Sequence, residues 1–249
     1  GANSFEIRNR PMMSIRREGQ REKRFKNITF RQAIRYKAQF EAKGKVSLKT
    51  NVNNNVTAKY ESEKTNPNDR LLGIDNYFMD LKGYKIASGR NFNKNEFDQA
   101  TNVCVLGVDV IDQLFEKNNP IDKEITANGI QLKVIGILEK KGNMMGGGDD
   151  RVILVPLETG RKMSAGRELN YDITTSAYKV QHLDDFMEEA IVFKEGRNIG
   201  GFPLNCHGNA VIVMMQRFQL DRGDARGGAT GGLAFQHRTE FERIFDIFV

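Results

Sequence analysis

The stretch from Val103 to Leu157 constrains the fold of this chain more than any other. A short apolar run, Val103 to Leu106, ends at Gly107 and predicts a buried strand. A helical pattern follows, with Val108, Ile111 and Phe115 on one face at spacings of three and four. Asn118, Asn119 and Pro120 end it, because proline cannot continue a helix. Asn128-Gly129 predicts a tight hairpin, since both residues tolerate positive φ. Beyond it Ile130, Leu132, Val134, Gly136 and Leu138 alternate as one strand face. A loop containing Gly146, Gly147, Gly148, Asp149 and Asp150 leads to a last strand, Val152 to Val155, closed by Pro156. Strand, helix, hairpin, strand, loop and strand make a compact α/β unit with no catalytic trio in it.

The flanks have a different texture. Ser4 to Arg8 alternates as a short strand, and Arg10 to Lys26 is a basic loop or exposed arm. Thr29-Phe30-Arg31-Gln32 matches a capping box: the Thr29 hydroxyl can accept from a free backbone N–H while Gln32 reaches back. The helix it opens has the inward stripe Phe30, Ala33, Ile34, Lys37 and Phe40, and Gly44 is placed to end it in a left-handed cap. Strands over Val46 to Thr50 and Val56 to Ser62 follow, across an Asn53-Asn54-Asn55 turn. Leu71 to Phe78 reads as a strand entering a short helix, and Gly89-Arg90-Asn91-Phe92 as a turn. After Leu157 come a short helix over Glu158 to Gly166 and a strand over Tyr171 to Val180. Leu183, Phe186, Met187, Ala190 and Ile191 then form an amphipathic helical stripe that Gly196 can end. A strand over Ala210 to Met215 and a short helix carrying Phe241, Phe245 and Phe248 lie within a glycine-punctuated tail.

Composition limits the function. With 249 residues the chain can bury a full core, and no apolar run approaches the roughly 18 residues of a membrane helix. The first residues lack a signal peptide's pattern, and the absence of an initiating Met suggests a fragment or processed chain. Residues 1–50 hold 14 Lys/Arg against 4 Asp/Glu. Such an end attracts phosphates of nucleic acid or lipid, or is simply a solvated basic face. Arg31 and Arg35 lie on the outer face of the capped helix, where charge is ordinary. No recognised nucleic-acid module accompanies them, so no nucleic-acid partner is expected.

The site motifs are few. No G-x-x-x-x-G-K-[ST] loop occurs, and Asp149 and Asp150 would repel phosphate at the one glycine-rich loop. Those two adjacent carboxylates also fall short of a calcium loop. His182, His207 and His237 share no metal-ligand spacing, and Cys206-His207 would need distant partners. There is no G-x-S-x-G elbow. Cys104 reads as a small core residue; it could pair with Cys206, which spacing alone does not decide. No catalytic, cofactor-binding or metal residue is expected, no cofactor is expected, and the chain is not read as an enzyme. Partner-binding residues are not assigned.

One resemblance collects these pieces. Gly73-Ile74-Asp75 with Tyr77-Phe78, then Gly89-Arg90-Asn91-Phe92, Val105-Leu106-Gly107 with Leu114-Phe115, Asn128-Gly129 and Val134-Ile135-Gly136-Ile137-Leu138 follow one another in order. Asp150 ahead of Val152 to Leu157 closes the set, and Ala2-Asn3-Ser4-Phe5-Glu6-Ile7 adds a strand at the start. Together they resemble the extracytoplasmic core domain of MacB-like (FtsX-type) ABC transporter permeases over about residues 70–160. Asp122-Lys123 departs from the family's usual Gly-Lys pair, and the resemblance fades after about Ile199.

The resemblance implies an α+β fold. A porter-like βαβ subdomain would be built from both chain ends, residues 1–70 and 165–249, with a smaller α/β lobe inserted over 71–164. It implies a periplasm-facing domain at the inner membrane of a bacterium, a cognate ATP-binding cassette, a periplasmic adaptor and a homodimer or heterodimer of permeases. It implies adaptor or substrate binding with relay of ATP-driven movement. The alternative is a signalling loop that controls a cell-wall enzyme.

Overall fold

The computed structural model describes residues 4–9, 26–116, 118–141 and 150–178, and the backbone of 211–215. All of these belong to the compact unit Gly1–Phe218. Expectations for the basic arm up to residue 25, for 142–149, for the stripe from Leu183 to Ile191 and for the phenylalanines near the end lie outside the described residues.

The chain ends and the lobe share one sheet. The strands are β1 (Ser4–Arg8), β2 (Gly44–Val56), β3 (Ala58–Tyr60), β4 (Glu63–Lys64), β5 (Asp69–Ile74), β6 (Ile86–Gly89), β7 (Val103–Leu106), β8 (Glu124–Ala127), β9 (Ile130–Leu138), β10 (Val152–Pro156), β11 (Tyr171–Ala177) and β12 (Val211–Met215). The helices are α1 (Phe30–Phe40), α2 (Phe78–Lys82), α3 (Lys94–Asp98), α4 (Val108–Leu114) and α5 (Leu157–Met163). The sheet order is β12-β1-β11-β2-β5-β10-β7-β9-β8-β3-β4, with β6 also paired to β9. The fold is α+β: a mixed sheet with a few helices.

At one end β11 lies antiparallel between β1 and β2. The unit β1-α1-β2 is therefore a split βαβ crossover. Strand β12 pairs antiparallel with the outer side of β1. At the other end β7 and β9 are parallel neighbours joined through α4, and β8-β9 is a hairpin. Its turn has φ of 51° at Asn128 and 78° at Gly129, the geometry the Asn-Gly pair predicts. Strands β5 and β10 are parallel.

Three apolar clusters fill the molecule. The first lies under α1 and joins Phe5, Ile7, Tyr36, Phe40, Leu48 and Ile173. The other two lie on opposite faces of the lobe strands, one under α4 with Leu106, Leu114 and Phe115, the other under α2 with Phe78, Val105 and Leu154. Covered on both faces, β7 and β10 must be apolar at every position, which is why they read as unbroken runs. Strand β2 passes from one cluster to the next: Val46 and Leu48 belong to the first, Val52 and Val56 to the second.

Four local expectations are corrected. Helix α1 buries Ala33, Tyr36 and Phe40, while Ile34 stays 41% exposed. Tyr36 stacks on Phe40 with centroids 4.3 Å apart and so fixes the rotation of the helix. Gly44 is not a left-handed cap; the helix ends at Glu41 in a right-handed conformation and Gly44 begins β2. A Cβ there would collide with the Ser176 carbonyl of β11, so glycine serves close strand approach. Asn53 to Asn55 do not turn the chain. They stay within β2, whose pairing to β5 shifts register between Asn51 and Asn53 and again before Val56. The Asn53 side chain accepts from the Asn55 N–H at 3.1 Å, a local bond that supports a bulge instead of a reversal. Finally, β9 does not keep one face. Its register against β7 slips between Val134 and Gly136. Leu132 and Val134 therefore join the α4 cluster, whereas Leu138 joins the α2 cluster.

Candidate functional site

The polar groups that the fold buries converge where the chain-end strands meet the lobe. Strand β5 ends at Ile74, and Asp75 follows at the corner into α2. Its carboxylate accepts from Lys37 Nζ at 2.6 Å, Ser47 Oγ at 2.8 Å, the Leu48 N–H at 2.9 Å and the Tyr77 N–H at 3.2 Å. Its own N–H donates to the Leu48 carbonyl at 3.2 Å. One carboxylate thus ties α1, β2, β5 and the start of α2 together. Four donors offset the desolvation a buried carboxylate suffers. Lys37, the polar break in the α1 stripe, also donates to Asn76 Oδ1 at 3.0 Å and lies 5.1 Å from the Tyr77 ring centroid.

The neighbouring sheet face is charged. Glu6 of β1 accepts at Oε2 from Arg8 at 2.6 Å and from Lys82 of α2 at 2.9 Å. Burial alone would raise the Glu6 pKa, but the Arg8 hydrogen bond and the Lys82 charge outweigh it and hold the carboxyl below its ordinary range. Burial pushes the Lys82 ammonium down, against the opposing pull of Glu6. Lys49 of β2 pairs with Asp172 of β11 at 2.8 Å.

Helix α5 reaches the same junction from the other side. Its Gly160 packs on Gly73 of β5: a Cβ on Gly160 would lie 3.0 Å from Gly73 Cα and 3.0 Å from Val52 Cγ2. The Gly73-Ile74-Asp75 pattern thus has two physical causes, a close helix approach at Gly73 and a four-donor carboxylate at Asp75.

Within the lobe, Arg90 binds Glu96 in a fork, Nη1 to Oε2 at 2.9 Å and Nη2 to Oε1 at 2.7 Å. Glu96 also completes a capping box with Asn93 at the start of α3. The Arg90 hydrogen bond is the main reason the Glu96 carboxyl sits below its ordinary pKa. Neither α3 nor β6 was expected. The Asn93-x-x-Glu96 spacing was the signal available for α3. At the departure from the family's Gly-Lys pair, Asp122 takes φ of 65°, a glycine-like conformation, and donates its N–H to the Val134 carbonyl at 2.9 Å. Asp122 thus takes a conformation open to glycine, and Lys133 pairs with the Asp122 carboxylate at 2.8 Å.

The residues weighed for chemistry are not brought together. Cys104 is free and wholly buried, and burial drives its thiol pKa far up. Asp150 accepts the Lys141 N–H at 2.9 Å and serves local structure. Arg31 is exposed on α1, as expected, and Arg35 half-buried. Asp149, Cys206, His182, His207 and His237 lie outside the described residues. Among the described residues no group of three or more His, Cys, Asp or Glu could hold a metal ion, and no helix is long and apolar enough to cross a membrane.

The sheet order and corner motifs meet a known pattern. The sequence profile of the MacB-like periplasmic core domain matches residues 2–191. The chain belongs to that family. The macrolide export ATP-binding/permease protein MacB of Syntrophobacter fumaroxidans is 37% identical over 87 residues, covering 34% of this chain and 12% of that protein. MacB of Chlorobium luteolum is 31% identical over 118 residues, 47% of this chain and 18% of that protein. The chain thus spans a small part of the length of the curated relatives it matches. Among solved structures, the periplasmic region of MacB from Actinobacillus actinomycetemcomitans superposes with a TM-score of 0.61 at 18% identity, covering 79% of this chain and 86% of that one. The extracellular domain of the transporter YknZ gives 0.59 at 18% identity over 79% and 96%. These structures share the fold. The chain is thus a MacB-like periplasmic core domain, and the ABC transporter permease YknZ of Bacillus subtilis is 31% identical to it over 85 residues, 34% of this chain and 21% of that protein.

Proposed function

We propose that this domain binds a periplasmic adaptor or the exported substrate and relays to it the movement that the ATPase drives. The observation that carries the reading is the junction at Asp75. The strands of the two chain ends, β1 and β12, lie side by side at one end of the sheet. The lobe lies at the other end of the same sheet, and β2 runs into both cores. A continuous ladder cross-braced by Lys37-Asp75 and Gly73-Gly160 contacts suits a stiff lever. A displacement imposed at the chain ends would move the lobe as one piece.

The chain-end subdomain (1–70 with 165–249), apart from β3 and β4, which pair with the lobe strand β8 and go with the lobe, and the inserted lobe (71–164) are then the driven part and the working part. Two permeases would pair, so that the lobes approach or part as the cassettes close. The working surface belongs to the lobe, since no catalytic constellation is expected in it.

The test is made on the full-length permease with its ATPase in nanodiscs. Spin labels go on the exposed Lys59→Cys position, with Cys206→Ser removing the second thiol and the buried Cys104 left unlabelled. The distance between protomers is expected to shift between the nucleotide-free and ATP-trapped states. Identical distance distributions would remove the relay. Capture of an adaptor by the same particles supports export, whereas capture of a cell-wall hydrolase would point to the signalling role. The isolated domain is expected to hydrolyse no ATP above background.

A further inference from the structure

One ionisable group is buried without the partners that Asp75 and Glu6 have. Asp69, at the start of β5, has no exposed surface. Neither of its carboxyl oxygens has a hydrogen-bond partner of full geometry among the described residues. Val56 of β2 is its ladder partner, and Thr65 lies just after β4. The Thr65 N–H donates to the Ala58 carbonyl and the Thr65 hydroxyl accepts the Ala58 N–H, at 2.9 Å each, which leaves the hydroxyl proton to turn toward Asp69. The charged groups that act on it are Arg151, beside the head of β10, and Asp109, in the first turn of α4. Those two bind each other, Arg151 Nε to Asp109 Oδ2 at 3.2 Å, and the Arg151 side chain is half exposed, so its pull on Asp69 is shared with Asp109 and screened by water. Val56 and Thr65 do not ionise, and Arg70 alternates toward the other face of β5.

We propose that the Asp69 carboxyl is a proton-binding site that makes the seating of the β3-β4 segment on the lobe responsive to pH. The geometry gives the reason. A neutral carboxyl can sit in this corner with one donor and one acceptor atom, while a carboxylate must leave water with only the Thr65 hydroxyl and the Arg151 charge to offset the loss. Burial accordingly pushes the Asp69 pKa up. The Thr65 hydroxyl and Arg151 pull the other way without cancelling it, and Asp109 adds to the rise. A raised folded-state pKa means that the stabilising state is the protonated one. The corner is tightest in acid and loosens as pH rises through the folded value. A periplasm-facing domain meets the pH of the surroundings, so its lobe tip would stiffen on acidification. That consequence rests on the family assignment; the proton site does not.

The experiment is a carboxyl carbon NMR titration of the whole chain, read with hydrogen exchange. The Asp69 carbon is expected to titrate above the ordinary aspartate value of about 3.9. Amide protection in β3 and β4, corrected for intrinsic exchange, is expected to fall by up to about tenfold per pH unit between the two values. In Asp69→Asn the protection stays high and flat with pH. An Asp69 midpoint at or below the ordinary value, or wild-type protection that is flat across the same range, overturns the proposal. The wild-type titration needs no variant, so it decides the matter even if Asp69→Asn fails to fold. Loss of ATP-driven motion in the full transporter would leave this result untouched.

Discussion

At the scale of single residues, the molecule holds three carboxylates in three different ways. Asp75 has four donors, Glu6 has two cations, and Asp69 has only the Thr65 hydroxyl and the more distant Arg151 charge. Asp75→Ala leaves the half-buried Lys37 without its anion and the buried Ser47 hydroxyl and Leu48 N–H without their acceptor, a loss of up to about 3–5 kcal/mol. Urea unfolding measures it, and Lys37→Met combined with Asp75→Ala should recover part of the loss. Glu6 has a lowered pKa, so its contribution is present above the unfolded value and is lost as pH falls through the folded one. Glu6→Gln is therefore expected to flatten the acid side of the stability profile, seen in melting midpoints between neutral and acidic pH. These roles were not legible in the sequence. The resemblance marks Asp75 and not the exposed Asp80, but it does not say what Asp75 binds, because its partners come from positions as distant as 37, 47 and 48.

Among the elements, those with local causes were read correctly. The Thr29 capping box, the Asn128-Gly129 hairpin and the runs of β7 and β10 each depend on neighbours within a few residues. The failures share another cause. The face of α1, the straight course of β2 through Asn53 to Asn55 and the slip in β9 are set by what packs across them. Phe115, just past α4, is 2% exposed and packs on Tyr60 with ring centroids 4.4 Å apart. Phe115→Ala should cost about 3–5 kcal/mol in chemical denaturation. Gly160→Ala separates propensity from packing. In a free helix alanine would gain about 1 kcal/mol over glycine, but here its Cβ meets the Gly73 backbone at 3.0 Å. The expected outcome is a lower melting midpoint, and a higher one would show that α5 does not press on β5.

For the whole molecule, the chain's own sequence determined the α/β order of its lobe, the strands and capped helix that begin it, and the absence of a phosphate loop in its 249 residues. Those features follow from periodicity, turn chemistry and motif spacing, which act over short distances along the chain. Only the tertiary structure decided that chain ends and lobe share one sheet, that β2 serves two cores, and that the family's Gly73-Ile74-Asp75 pattern is a brace. Strand pairing between residues as distant as Ser4 and Ser176, or Arg70 and Val152, depends on which faces find complementary burial. Hydrophobic attraction is non-directional, so the sequence says which residues must be covered but not which strand will cover them.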